Sequence, residues 1–358
     1  MKQESGPEGS EEESMQRILV VRNDKIGDFM LAWPSFAMLK ASCDCHVAAL
    51  VPAYTAPLAE LCPWIDQVIL DPGRKAPRAE QLALRQRLRQ ERFDAAITLF
   101  STWRTGWLLW RSRIACRLAP ATKLAQFLYN HRLVQRRSRS EKPEYQYNLD
   151  LVRHYLTLQG LTPTEPTAPY LQFEAGLLAA VRGDTAGRLG INPAKPWLMV
   201  HCGTGGSATN ISVAQYAELV IGLQQQWPDH PCVITAGPGE EALAGELASA
   251  VMAGGGHAYV YASCDGLVRF AQVIANAALF IAGSTGPLHI AAALDVPTVG
   301  FFPARRSATP LRWQPLNSAG RHLAFTPASH EGEPAGMESI KIATLLPQVV
   351  AWRNGLDG

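Results

Sequence analysis

Three short polar turns hold the residues best suited to do chemistry. The first is Asp24-Lys25-Ile26-Gly27-Asp28, two carboxylates around one lysine. The second runs His201-Cys202-Gly203-Thr204-Gly205-Gly206-Ser207-Ala208-Thr209-Asn210, and the third is Ser284-Thr285-Gly286-Pro287-Leu288-His289. In the third, the small residues sit where a strand passes into a helix. Free backbone N–H groups and the positive helix end would there face an anion. Pro287 fits the first helical turn, where its missing N–H costs nothing. Such a turn alone serves an ordinary packed unit equally well. His289 tilts the reading toward a site, against its plainer role as a satisfied core histidine. On residue type alone, Asp28 suits an N-cap ahead of Phe29. A carboxylate within reach of a hydroxyl is also a general base, and Asp24 is its rival. Gly203, Gly205 and Gly206 have the wrong spacing for a GxGxxG dinucleotide loop, and no turn carries a Walker lysine.

The elements that must position these turns alternate between strand and helix. Apolar runs at 17–22, 45–51, 65–70 and 95–99 predict strands, with helices over 29–40 and 78–92. Pro34 should kink or break the first helix. Residues 145–160 predict a helix ending at Gly160, and Pro163, Pro166 and Pro169 mark a linker. The alternation then restarts with strands at 197–202, 232–236 and 259–261 and helices at 213–227, from Glu240 and at 266–277. It closes with strand 279–283, the helix at Pro287 and strand 297–302, then a last helix over 338–353. Strands alternating with helices argue parallel, doubly wound sheets whose ligands lie at the carboxyl ends of the strands.

Composition bounds the rest. The chain has 358 residues, enough for two domains, and 47% are hydrophobic. The net charge of +2 gives no nucleic-acid signature across the whole chain. Seven scattered cysteines without a CxxC pair read as reduced thiols of a cytosol. No run approaches the ~20 apolar residues of a membrane span. The acidic, Gly/Ser-rich start is the reverse of a secretory signal, and residues 1–15 are expected to be a disordered tail. Residues 100–142 stand apart. They carry Arg104, Arg111, Arg113, Arg117, Lys123, Arg132, Arg136, Arg137, Arg139 and Lys142 against the single acid Glu141, with Trp103, Trp107, Trp110, Phe127 and Tyr129 interleaved. This is either a solvated face or a surface for an anionic lipid-linked partner.

Taken together, the chain resembles the ADP-heptose:lipopolysaccharide heptosyltransferases, glycosyltransferase family 9. The matches are Ile18 through Arg22 with Ile26-Gly27-Asp28 and Pro34, His201 through Asn210, Ser284 through Leu294, and Gly300-Phe301-Phe302-Pro303 followed by Arg312-Trp313. They span roughly residues 16–353. The resemblance implies an α/β GT-B fold, two Rossmann-like domains facing a central cleft. Residues 16–165 would bind the acceptor and 166–335 the nucleotide sugar, with 336–358 a C-terminal helix packing back toward the first domain.

The implied activity is inverting transfer of a heptose or related sugar from a nucleotide-diphosphate donor, ADP-heptose, to a lipopolysaccharide core or similar glycolipid. Asp28 would be the catalytic base. Gly203, Thr204, Ser207, Thr209, Glu240 (or its neighbour Glu241), Ser284, Thr285, Gly286 and His289 would bind the donor. Lys25, Arg136, Arg137 and Arg139 would meet an anionic glycolipid acceptor. No cofactor or metal is expected, since no Asp-x-Asp motif is present. The expected setting is cytoplasmic, with peripheral contact at the inner membrane and no nucleic acid. The alternative is a non-catalytic nucleotide-sugar binder or scaffold of envelope glycan assembly. One departure favours it. Family members usually carry Lys or Arg where Thr209 stands, and a hydroxyl supplies no charge to a diphosphate. Arg305 or Arg306 could replace that cation. Glu240 has its own plainer reading, an acid in the first turn of a helix.

Overall fold

Each half of the chain builds a six-stranded parallel sheet, because each repeats a short apolar strand followed by a helix with one apolar stripe. The computed structural model describes residues 15–122, 124–206, 209–328 and 335–356. The expected disordered tail lies almost wholly outside them, as do Lys123 and Ser207. The first half contains β1 (Gln16–Val21), α1 (Ile26–Met30), α2 (Trp33–Ser42), β2 (Cys45–Pro52), α3 (Ala56–Leu61), β3 (Gln67–Asp71), α4 (Arg78–Gln90), β4 (Ala95–Thr98), α5 (Trp103–Arg111), β5 (Cys116–Pro120), β6 (His131–Leu133) and α6 (Glu144–Leu158). The second contains α7 (Ala175–Leu189), β7 (Trp197–His201), α8 (Val213–Gln226), β8 (Cys232–Ala236), α9 (Glu241–Ala253), β9 (Ala258–Ala262), α10 (Gly266–Ile274), β10 (Ala277–Gly283), α11 (Gly286–Ala293), β11 (Thr298–Phe301), β12 (His322–Phe325) and α12 (Ile342–Gly355).

The strand orders are β3-β2-β1-β4-β5-β6 and β12-β11-β10-β7-β8-β9. Both are the doubly wound Rossmann order, the second written from its other edge. In such sheets the order reverses between the first and fourth strands, and the crevice there receives ligands. Here the reversal falls between β1 and β4, and between β7 and β10. All three polar turns leave the carboxyl ends of these central strands.

Core strands such as β4, β7 and β8 are buried at every position, as two-sided packing requires. Pro34 marks a break rather than a kink. It stands in the first turn of α2, after a short turn separates α1 from it. Expectation and structure part at the C-terminus. Ile342, Leu345 and Val349 of α12 bury against the apolar face of the second sheet, beside α8. Trp352 Nε1 donates to the Gly320 carbonyl at 2.7 Å. The last helix therefore packs on the second half and does not return to the first. Among the described residues, no helix is long and apolar enough to cross a membrane.

Candidate active site

β1 delivers the chain from its buried run into Arg22, a charged residue at the end of an apolar strand. Its side chain is 1% exposed. Nε lies 2.7 Å from Asp24 Oδ1, Nη2 lies 2.6 Å from Asp28 Oδ1, and Nη1 lies 3.3 Å from Glu144 Oε1. Burial works against the arginine's charge, but the three carboxylates outweigh it and raise its pKa. The two aspartates differ. Burial pushes the Asp24 carboxyl up to about 6 against the pull of Arg22, with the charge of Asp28 adding to the rise. Asp28 lines the cleft, and Asp24 does not border it. The N-cap of α1 is Lys25, so Asp28 stands three residues inside the helix and is not its cap.

On the opposite wall, β10 ends at Gly283 and α11 begins at Gly286. The carbonyl of Thr285 accepts from the His289 N–H at 3.3 Å, and Pro287 has no N–H. Among the described residues, the N–H groups of Thr285, Gly286 and Leu288 meet no backbone carbonyl. The anion cradle expected over 285–289 is therefore three amides. This turn touches the first one across the cleft floor. A Cβ on Gly286 would lie 3.2 Å from Ile26 Cγ2, and a Cβ on Gly27 would lie 3.0 Å from His289 Cδ2. Glycine at both contact positions lets the two helices meet closely, N-terminus to N-terminus, where a Cβ would force the neighbouring side chain aside. His289 is buried, and burial, helped by His322, pulls its pKa down to about 3, so it stays neutral. Its Nδ1 has no partner among the described residues. It borders the cleft, unlike the satisfied core histidine of the plainer reading.

The glycine turn after β7 is held by Glu240. This carboxylate accepts from the Gly205 N–H at 3.0 Å and the Gly237 N–H at 2.9 Å, with His201 Nε2 at 3.4 Å. Burial pulls the His201 pKa down, and its Nδ1 pairs with Thr235 Oγ1 at 3.0 Å. A Cβ on Gly203 would sit 2.2 Å from Glu240 Cδ, so only glycine lets that carboxylate close on the turn. Glu240 is at the N-cap of α9 but caps nothing with its side chain. It braces the turn instead.

These walls enclose a cavity of about 810 Å³. Of the expected donor residues, Thr204, Glu240, Ser284, Thr285, Gly286 and His289 border it. Gly203 lies behind Glu240, and Thr209 is exposed and off the cleft. Ser207 lies outside the described residues. Arg305 borders the cavity, whereas Arg306 donates to the Arg139 carbonyl at 3.3 Å. Tyr54, which sequence reading passed over, lies on the cleft and donates to the Asp24 carbonyl at 2.5 Å.

The expected acceptor residues divide. Lys25 borders the cleft. Arg136 and Arg139 are exposed and do not border the cleft. Arg137 is not free to bind an acceptor. It lies 2.7 Å from Glu144 Oε1 and donates to Gln135 at 2.9 Å, and burial pulls its pKa down to about 10. Glu144 thus joins Arg22 and Arg137, and it also pairs with Arg312, which comes from the second half. The backbone repeats the tie, with Glu144 N donating to the Arg312 carbonyl at 2.8 Å. One buried carboxylate therefore connects the second half to the arginine that holds Asp28. The sequence signal for this cluster was weak: a charge ending an apolar strand, and Arg312 within a matched segment.

The model of glycosyltransferase family 9 (heptosyltransferase) matches residues 81–332. A Haemophilus influenzae protein named "Putative glycosyltransferase" is 49% identical over 336 residues, 94% of this chain and 96% of its own. Solved structures share the fold. E. coli ADP-heptose lipopolysaccharide heptosyltransferase II gives a TM-score of 0.77 at 19% identity, covering 96% of this chain and 100% of that one. A Veillonella parvula glycosyl transferase family 9 structure gives 0.79 at 14% identity, with 95% and 98% covered. The E. coli heptosyltransferase WaaC with ADP gives 0.72 at 17% identity, with 94% and 100% covered.

Proposed function

This chain belongs to glycosyltransferase family 9, and on that premise we propose that it is an inverting transferase. It moves a heptose or related sugar from a nucleotide-diphosphate donor, ADP-heptose first among them, to an anionic cell-surface glycolipid. One observation carries this reading. A carboxylate and an open helix N-terminus, from opposite halves of the chain, border the same cavity.

The chemistry follows from that pairing. An acceptor hydroxyl attacks C1 of the sugar, and Asp28 takes its proton as the new bond forms. The bond from C1 to the diphosphate breaks, and the leaving oxygen carries the electron pair away. The charge that develops there needs donors fixed in advance. The N–H groups of Thr285, Gly286 and Leu288 supply three, and the α11 dipole adds to them. Arg305 supplies the full positive charge that Thr209 lacks, and Lys25 stands on the acceptor side. Glu240 borders the cavity with one acceptor site on each oxygen taken by a backbone N–H, and its remaining lone pairs face the ribose hydroxyls. No step draws on a metal or cofactor.

Support for ADP as the nucleotide comes from WaaC, solved with ADP in the same fold. A thermal-shift screen tests the donor class, because a ligand that binds only the folded state raises Tm. ADP-heptose is expected to raise Tm more than UDP- or GDP-sugars, and Arg305→Ala to weaken that binding about tenfold or more, as loss of a charge-assisted contact does. A larger shift with another nucleotide would replace the donor. Unchanged affinity in Arg305→Ala would remove that residue from the phosphate site.

A further inference from the structure

α5 turns its aromatic side outward. Trp103, Trp107 and Trp110 follow one another at four- and three-residue spacing, which puts them on one helix face. They are 56%, 45% and 45% exposed. The opposite face buries Thr105, Leu108 and Leu109. The short turn Leu124–Leu128 packs on α5 at Gly106, where a Cβ would meet Leu128 Cβ at 2.9 Å. That turn leaves Leu124 and Phe127 almost bare. Contiguous exposed apolar surface of this kind marks an interaction site. The rim is basic. Between Ala95 and Ser140 the chain has nine Lys or Arg and no Asp or Glu; two of them, Arg104 and Arg137, pair with Asp71 and Glu144. Arg111 lies over the Trp107 and Trp110 rings at 5.5 and 5.9 Å, and Arg113, Arg132 and Arg136 are exposed.

The face is tied to the active cleft. Arg104, on α5, pairs with Asp71, and Asp71 also accepts from Asn23 at 2.6 Å, one residue before Asp24. Exposed Phe100 lies 6.0 Å from the Arg22 guanidinium. Phe100 and Arg104 thus link this region to the residues just before the turn that carries Asp28.

We propose that the α5 face seats the protein on an anionic phospholipid surface, with tryptophans in the headgroup layer and arginines against the phosphates. Aromatic residues with a basic rim are the composition that interfacial binding favours. Pairing two copies through this face would instead oppose like charges. The inference deepens the proposed function by placing the base where a lipid-held acceptor would arrive. Within the 100–142 segment it rests the contact on α5 and leaves out Arg137, which Glu144 holds.

Co-sedimentation with vesicles tests it without donor or acceptor, so its outcome is independent of the sugar-transfer reading. The full chain is expected to bind vesicles of equal parts phosphatidylcholine and phosphatidylglycerol, and not phosphatidylcholine alone. Trp107→Ser with Trp110→Ser should raise the lipid needed for half-binding about tenfold, with Tm unchanged. Phe127→Ser alone, at a 70% exposed position, should shift it the same way by less and serves if the double variant misfolds. No binding by the parent chain at low salt overturns the proposal, and so do variants that bind as the parent does. A parent dimer that the tryptophan substitutions split, with vesicle binding unchanged, assigns the face to a second copy and equally overturns it.

Discussion

Asp28→Asn is expected to lower turnover by about 10²- to 10⁴-fold, the usual weight of a positioned general base, while the donor KM moves by less than about threefold. The reason is geometric. The amide keeps an oxygen where Asp28 Oδ1 accepts from Arg22 Nη2 at 2.6 Å, so the turn keeps its shape. What is lost is the capacity to take the acceptor's proton. The donor's amides lie on the other wall and are untouched. Asp24 does not substitute, because it does not border the cleft and its carboxylate is engaged by Arg22 Nε at 2.7 Å. Steady-state kinetics on the parent and the variant decide the matter. Loss confined to kcat supports the base. Turnover within about threefold of the parent moves that role to another residue.

The second large effect belongs to Glu144→Ala. Its carboxylate is 3% exposed and faces Arg22, Arg137 and Arg312. Removing it leaves three guanidiniums crowded and undercompensated, and breaking a buried ion pair from one side costs about 3–5 kcal/mol. Glu144→Gln should cost less, because its amide oxygen still accepts a hydrogen bond. Turnover should fall in both variants, since Arg22 loses one of the carboxylates that fix it against Asp28. Urea denaturation followed by circular dichroism reads the stability. A midpoint unchanged in Glu144→Ala would mean that the cluster relaxes freely, and that Arg312 does not tie the second half to the base.

The sequence made the frame legible where local patterns decide structure. Leu279 through Leu294 read as strand, turn and helix because an apolar run, small residues and Pro287 agree at every position. The helix after Asp28 was visible too, but its start was not. Lys25 takes the N-cap without a side-chain bond, so no capping residue announces it. Contacts distant along the chain left little trace. Nothing in Glu144 foretells three arginines. The choice between Arg305 and Arg306 depends on how one loop turns after β11. Glu240 read as a ribose contact or a capping acid, yet it closes on the glycine turn, because Gly203 leaves room for it. The direction of α12 was misread because its apolar residues would suit either half, and only packing chooses. The 100–142 segment hid α5, because its tryptophans face outward and so give the helix no inward stripe of large aromatics.

The central claim is that one cleft holds the leaving diphosphate on α11 while Asp28 waits on the facing wall. A crystal structure of the protein with ADP tests this most directly. The expected result is a diphosphate hydrogen-bonded to the backbone N–H groups of Thr285, Gly286 or Leu288, beside Arg305, with the Asp28 carboxylate across an open space from the terminal phosphate. ADP held away from those amides, or Asp28 turned out of the cleft when ADP is bound, would contradict it.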